Sequence, residues 1–390
     1  MKITVVGGSI GGLTAACLLR DSGHQVSIYE RSSVPLEQRG AGIGFLPATY
    51  RYLESRAGVD LHDVAVETGH IRYLDHVGNV IYDEPHRYLF SSWNAVYAST
   101  LRHFGHSEYH LGSEMVDFSQ TPSSVSVRMK DGKVIESDLL VAADGIGSVA
   151  RSRLVPNSTA EYAGYVAWRG MVPETELGAD ALQRLSDAIT YFVYPGSHIL
   201  VYPIPGHEGG VGVGERLINF VWYCNYASGD AFRSLMTDKD GTVRDVSIPP
   251  GYASESSVKL MNEMAREWLP PLIRDIVLAA PNPFVQVIYD IDVDRMAFGR
   301  ICLLGDAGIV VRPHAAAGTA KAASDGWALD AALREYDSLD DALRAWEDQQ
   351  LSLAKRLLDR TRRIGARSQF LNSWDPRDPE VIFGLYEPGN

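Results

Sequence analysis

Basic residues, cysteine and long apolar runs are all scarce in this chain of 390 residues. Lys and Arg number 36 against 49 Asp and Glu, for a formal net charge of −13. That balance, with no basic stripe, argues against a nucleic-acid footprint. The three cysteines, Cys17, Cys224 and Cys302, are scattered and show no ligand spacing. Neither a disulfide framework nor a zinc site is expected, and a reducing cytoplasm suits them. No apolar run approaches the ~20 residues that span a bilayer, and the chain opens on the strand-like KITVVGG with no signal-peptide pattern. No internal repeat or low-complexity tract is visible. The expectation is a soluble cytoplasmic protein with no membrane, metal or nucleic-acid partner, long enough for two domains and an appendage.

The most informative stretch lies late, at Arg300–Asp325 (RICLLGDAGIVVRPHAAAGTAKAASD). An apolar strand-like run, Ile301–Leu304, breaks at Gly305–Asp306; Pro313 and His314 follow, and a small-residue segment opens a helix at about Ala317. A carboxylate at a strand end can hold a polyol, and a helix N-terminus offers free N–H groups to an anionic ring edge. This pairing suits the ribitol and pyrimidine of a flavin. An ordinary strand–turn–helix with a solvated Asp306 fits this stretch equally well.

Residues 2–30 read as a βαβ unit: a strand into GGSIGG, a helix bearing Leu13, Ala16, Cys17 and Leu19, and a strand Val26–Tyr29 ending in Glu30. Glycines admit a tight turn and close approach to a pyrophosphate, and a carboxylate about 20 residues on can bind a ribose hydroxyl. Gly7 and Gly12 fit the dinucleotide pattern, whereas Ser9 occupies its middle position, flanked by Gly8 and Gly11. RGAGIGFLP (Arg39–Pro47) is either a loop lying close to a flat ligand or a surface connection. Residues 70–97 alternate like antiparallel strands, and Leu101–Phe104 belongs to a returning helix.

VSVRM–KDG–KVIESDLLVAADG reads as a hairpin feeding a buried strand that stops at Asp144–Gly145. Asp144 reads as an acceptor beside the cofactor, as the cap of the short helix holding Ser148 and Arg151, or as both together. From Tyr162 to about Asn282 the chain is strand-rich and aromatic, as in a half-buried antiparallel sheet with one face lining a pocket. His198, Leu200 and Tyr202 share a strand face; Trp168, Trp222 and Tyr223 are core or pocket residues. Asp340–Leu371 has the spacing of a long amphipathic helix packed on the outside. The tail beyond it is irregular, with Trp374, Phe383 and Tyr386 as anchors.

GGSIGG with Glu30, ADGIGSVAR (Ala143–Arg151) and LLGDAGIVVRPHAAAG (Leu303–Gly318) resemble, in order and spacing, the three fingerprints of the class A flavoprotein monooxygenases. These are single-component FAD-dependent aromatic hydroxylases that use NADPH or NADH. EYAGYVAWRG, HILVYPIPG, NFVWYCN, VDRM and RPHAAAGTAKA resemble the hydroxypyridine branch in particular. The chain departs from the wider pattern at Gly308–Ile309, where a histidine is usual, at Ala316–Ala317, where glycine–glutamine is usual, and at Ala98, where many members carry an arginine that reaches FAD.

The resemblance implies an α/β plus α+β architecture. A Rossmann-like FAD-binding domain (1–70, 98–160 and 283–330) would interleave with an antiparallel-sheet substrate domain (71–97 and 161–282), followed by a C-terminal helical segment and tail (331–390). It implies tightly held, non-covalent FAD contacted by Gly7, Ser9, Ile10, Gly11, Gly12, Glu30, Arg31, Gly42, Asp144, Gly305, Asp306, Pro313, Ala317 and Gly318. It also implies hydroxylation of a small hydroxylated pyridine with O2 and NAD(P)H through a flavin hydroperoxide, a phenol being the alternative substrate and a non-hydroxylating FAD-binding protein the alternative class. His314, Tyr202 and His198 are its candidates for positioning and activating the substrate. NADH against NADPH, and monomer against homodimer, stay open.

Overall fold

A computed structural model describes residues 1–36 and 41–390; Arg39 and Gly40 of the glycine-rich loop lie outside them. Among these residues the strands form three sheets. The first has six strands in the order Ala297–Phe298, Ile301–Leu303, Leu139–Ala142, Lys2–Val6, Gln25–Tyr29 and Tyr109–His110. Its pairings are parallel except at the Ala297–Phe298 edge. The unbroken apolar runs LLVA and ICL are buried along their length, as parallel strands covered on both faces require. The helices Ile10–Asp21 and Gly318–Glu335 pack on each other at Gly326, where a Cβ would lie 3.1 Å from the Ala15 Cα.

The second sheet has nine strands in the order Ser247–Ile248, Phe284–Asp290, Glu161–Pro173, Leu217–Asn225, Ser197–Ile204, Ala188–Tyr194, Ala65–Leu74, Val80–Ser92 and Gly42–Gly44. It departs from a purely antiparallel sheet at one pairing, Ala188–Tyr194 with Ala65–Leu74, which is parallel. A parallel pair needs a long crossover, and the chain between these strands visits the first sheet. Gly42–Gly44 and Phe284–Asp290, expected on the cofactor side, add strands to this sheet.

Nor is the nine-stranded sheet half-buried at its centre. Every residue of Ser197–Ile204 is buried; two helices cover the face opposite the one that carries Leu200 and Tyr202. Glu255–Trp268 and Pro271–Ala279 bury Met261, Ala265, Ile273, Ile276 and Val277 against Trp168 and Trp222. These helices fall in the stretch read as strand-rich. Ser254 caps the first by accepting from Ser257 N–H, and Pro271 opens the second. Similarly, 93–97 is not strand but the start of a helix, Trp93–Phe104, capped by Ser92.

The C-terminal helix Leu339–Ala366 is amphipathic, with Leu343, Trp346, Leu353, Leu357 and Ile364 on its buried side. It continues through a wide turn, Arg367–Leu371, whose Ser368 and Gln369 are buried. The tail then folds back. Trp374 Nε1 donates to the Tyr73 hydroxyl at 3.2 Å, and Phe383 packs on Tyr88 at 5.1 Å between centroids. No helix of the described residues is long and apolar enough to cross a membrane.

Candidate active site

A cavity of about 400 Å³ lies between the six- and nine-stranded sheets. Ser9–Gly12 forms part of its wall, where the first strand turns into the helix Ile10–Asp21. Gly7 has φ +101°, and a Cβ there would sit 2.1 Å from the Ala143 carbonyl oxygen; at Gly12 it would sit 2.0 Å from that of Gly7. Only glycine fits either position. Ser9 is the N-cap residue, yet its side chain makes no cap hydrogen bond, and the first turn carries no acid. The helix Gly318–Glu335 likewise starts at Ala317 with no side-chain cap and no acid in its first turn. Two uncapped helix N-termini thus face one cavity with free N–H groups, as a pyrophosphate and an electron-rich ring edge require.

Asp306 projects from the left-handed turn at Gly305 (φ +64°) into this space, and its carboxylate makes no hydrogen bond among the described residues. The enclosing protein raises its pKa by desolvation; Lys321 and Arg151 oppose the rise and Asp325 adds to it. Behind the turn, Arg151 donates to the carbonyls of Asp306 at 3.1 Å and Ala307 at 3.0 Å, and also to Ile146. This joins the turn to the strand end at Asp144–Gly145. The Asp144 carboxylate is turned away: it accepts from the Ser148 hydroxyl and Val149 N–H at 2.6 and 2.8 Å, capping the short helix Val149–Leu154. These contacts are those of the capping reading of Asp144. Glu30 accepts from Gly8 N–H and Ser32 N–H, both at 2.8 Å, and Arg31 is exposed beside it.

The nine-stranded sheet supplies the aromatic wall. Leu200 and Tyr202 on one strand, with Val221 and Tyr223 on the next, face the cavity. Tyr202 stacks on Phe90 at 4.3 Å, and Gly42 comes so close that a Cβ would lie 2.8 Å from the Tyr202 ring. Arg169 donates to the Gly42 carbonyl at 2.6 Å and to Gln286 at 3.3 Å. Burial raises the Tyr202 pKa, with Arg169 opposing. Phe383 of the tail and Pro313 and Ala316 of the late turn close the wall. Ala316 holds φ +53°, a strained value for a residue with a Cβ.

His198 and His314 lie one layer back. Their rings are 5.4 Å apart, and each flanks Tyr223, at 4.5 and 4.7 Å. His198 Nδ1 is 3.2 Å from Gln369 Nε2, and burial pushes its pKa down to about 3. His314 Nε2 is 2.6 Å from the Tyr165 hydroxyl; burial first, then His198 and Arg312, hold it well below the usual imidazole range.

Of the residues expected at the site, Ser9, Ile10, Gly11, Gly12, Gly42, Gly305, Asp306, Pro313, Gly318 and Tyr202 line the cavity. Gly7 and Ala317 shape the turns behind it, whereas Glu30, Arg31, Asp144, His198 and His314 are not on its wall. The sequence reading passed over Arg169 and Phe383 as lining residues, and Lys321, Asp325 and Gln369 as supports. Arg169 stood in the YVAWRG stretch as the one charged side chain among apolar neighbours, a signal that was available. Gln369 and Phe383 carry none, since only the returning tail brings them there. No group of three metal-ligating side chains occurs among the described residues.

Residues 5–35 match the NAD(P)-binding Rossmann-like domain model and residues 162–290 the FAD binding domain-like model. The chain is 37% identical to 2,6-dihydroxypyridine 3-monooxygenase of Paenarthrobacter nicotinovorans over 98% of its own length and 96% of the relative's. It is 27% identical to 3-amino-4-hydroxybenzoate 2-monooxygenase of Streptomyces cremeus over 93% of this chain and 86% of that one. The solved structure of 2,6-dihydroxypyridine-3-hydroxylase from Arthrobacter nicotinovorans superposes with a TM-score of 0.94 at 36% identity, covering 99% of this chain and 97% of the other.

Proposed function

Because this chain belongs to the single-component FAD-dependent aromatic hydroxylases, we propose that it hydroxylates a small hydroxylated pyridine of the 2,6-dihydroxypyridine kind, with O2 and NAD(P)H as co-substrates. The observation that carries the reading is that a single cavity joins the uncapped helix N-termini and Asp306 to the Tyr202–Tyr223 wall. We place the enzyme in the cytoplasm, where the buried free thiols Cys17, Cys224 and Cys302 stay reduced.

The residues present fit FAD. The Gly7–Gly12 turn would take the pyrophosphate, Asp306 the ribitol, and the backbone at Ala317–Gly318 the pyrimidine edge. When bound and reduced by NAD(P)H, FAD supplies the redox chemistry that activates dioxygen. The chain's own part is to hold an electron-rich ring and keep water away. Leu200, Val221, Tyr223 and Phe383 make the walls apolar, which suppresses loss of reducing equivalents to hydrogen peroxide. Burial keeps Tyr202 protonated, so it donates a hydrogen bond to a ring oxygen. The Arg169 guanidinium beside it favours that oxygen as an anion, the form that enriches the ring at the attacked carbon.

The test is NAD(P)H oxidation and product analysis on the FAD-loaded enzyme over a panel of hydroxypyridines and phenols. Oxidation stimulated by a hydroxypyridine, with ring-hydroxylated product, supports the proposal. Product from phenols alone overturns the substrate class.

A further inference from the structure

His314 is buried, with Nε2 on the Tyr165 hydroxyl and Nδ1 without a hydrogen-bond partner among the described residues. The hydrogen positions follow by elimination. Among the described residues the buried Tyr165 hydroxyl has two polar neighbours, His314 Nε2 at 2.6 Å and Arg312 Nη1 at 3.5 Å. A guanidinium carries donors and no acceptor. Arg312 is also anchored: it donates to both Asp290 oxygens, at 3.0 Å from Nε and 2.7 Å from Nη2, and Arg362 holds the same carboxylate at 3.0 Å. The tyrosine hydrogen therefore has one acceptor, Nε2. A neutral imidazole that accepts at Nε2 carries its own hydrogen on Nδ1.

We propose that Tyr165 is a positioning residue that locks His314 as the Nδ1–H tautomer, so that His314 supports the site from the layer behind Tyr223 as a hydrogen-bond donor and not as a proton acceptor. The long helix closes over the bond at Gly365, where a Cβ would meet the Tyr165 oxygen at 2.5 Å and His314 Nε2 at 2.7 Å. The orphaned Nδ1–H is a buried donor lacking an acceptor among the described residues, a state that costs stability until an oxygen reaches it. His314 stands between Pro313 and Ala316, and behind Tyr223, all three of which line the cavity. Protonation at neutral pH does not compete, because burial and the nearby Arg312 disfavour the imidazolium. The catalytic half of the proposal rests on the substrate lying against the Tyr202–Tyr223 wall; the tautomer does not.

The experiment is the long-range 1H–15N spectrum of the FAD-loaded full chain labelled with 15N-histidine at neutral pH. The His314 signals are identified by their loss in His314→Gln. The expected parent spectrum has the His314 proton on Nδ1, and Tyr165→Phe shifts it to the Nε2–H form. A proton on Nε2 in the parent, or an unchanged tautomer in Tyr165→Phe, overturns the lock; if the variant does not fold, the parent spectrum alone decides. Product formed per NAD(P)H on a hydroxypyridine should fall in Tyr165→Phe. Unchanged coupling there, with the tautomer shifted, keeps the lock and overturns the donor role. Turnover of a different substrate class changes neither tautomer result, so the two failures are distinguishable.

Discussion

Asp325, buried on the helix Gly318–Glu335, holds the backbone N–H of Gly305 at 2.8 Å. The same oxygen pairs with Lys321 at 3.0 Å, and the Lys321 ammonium returns to the Gly305 carbonyl at 3.0 Å. One buried ion pair therefore grips both polar groups of the glycine whose left-handed turn presents Asp306. It also ties that turn to the helix whose N-terminus opens on the cavity. Breaking a buried pair leaves an uncompensated charge and costs roughly 3–5 kcal/mol, whereas replacing both members with apolar groups is often tolerated. Lys321→Met is thus expected to destabilise the apoprotein by that amount. Lys321→Met with Asp325→Leu should recover stability but still bind FAD weakly, because Gly305 N–H has lost its acceptor. Denaturant unfolding and FAD titration separate the two effects; parent-like FAD affinity in the double variant would show that the clamp does not position the turn.

Asp306 and Glu30 should part company on substitution. The Asp306 carboxylate has no hydrogen bond among the described residues, so Asp306→Ala should leave apoprotein stability nearly intact. It should weaken FAD by about 1.5–3 kcal/mol, the worth of a hydrogen bond to a charged acceptor. Glu30 accepts from Gly8 and Ser32 N–H groups, so Glu30→Ala should cost stability even without cofactor, by about 1–3 kcal/mol for the donors left unpaired. Equal melting temperatures for the apo forms of parent and Glu30→Ala would reduce Glu30 to a cofactor contact alone.

How much of this was legible in the sequence depended on whether a feature is local. The Gly7–Gly12 turn, the Gly305–Asp306 break and the helix start at Ala317 are each written in a few consecutive residues, because φ > 0 and free helix N–H groups are local demands. The shared face of His198, Leu200 and Tyr202 follows from strand alternation. The sequence could not tell that Tyr202 faces the cavity while His198 sits a layer behind, since that depends on Gln369 and Trp374 arriving from the far end of the chain. Nor could alternation reveal that Glu255–Trp268 and Pro271–Ala279 cover the sheet's second face: a strand buried on both sides reads like one buried on one side when aromatics fill both.

His198 makes a pH prediction. Its folded pKa of about 3 lies below the unfolded value of about 6.5. As pH falls through 6.5 the unfolded chain takes up a proton that the folded chain refuses, so stability is lost at ~1.4 kcal/mol per pH unit. His314 acts in the same direction, while the raised pKa values of Asp144, Asp306 and Asp325 act in the opposite one as pH falls from those raised values to the ordinary carboxylate range. Comparison with His198→Phe cancels those shared contributions. The parent-minus-variant unfolding free energy should decline with that slope between about pH 6.5 and 5. A flat difference would mean that His198 is hydrated and titrates normally.

Phe383 tests whether the tail is part of the active-site wall. Arg360 on the long helix fixes this segment by donating to the carbonyls of Glu380, Ile382 and Gly384. Gly384 N–H donates to the Ala315 carbonyl at 3.1 Å, and Phe383 N–H donates to the Tyr88 hydroxyl at 2.9 Å. These bonds use backbone groups, so the segment should stay in place when the Phe383 ring is removed, leaving a gap beside Phe90 and Tyr88. Phe→Ala in a packed site costs about 3–5 kcal/mol where the surroundings cannot collapse, and a wall that borders a cavity can relax further than a core. The stability loss is therefore expected at or below the bottom of that range. The functional loss should be larger: a gap in an apolar wall admits water, and reducing equivalents then leave as hydrogen peroxide. In Phe383→Ala the product formed per NAD(P)H should drop several-fold while FAD affinity stays near the parent's, and Phe383→Leu, which refills most of the volume, should stay close to parent. Peroxide and product quantified together decide it. If Phe383→Ala couples as well as the parent, the tail braces the fold and the water seal lies in the Leu200–Val221 sheet face alone.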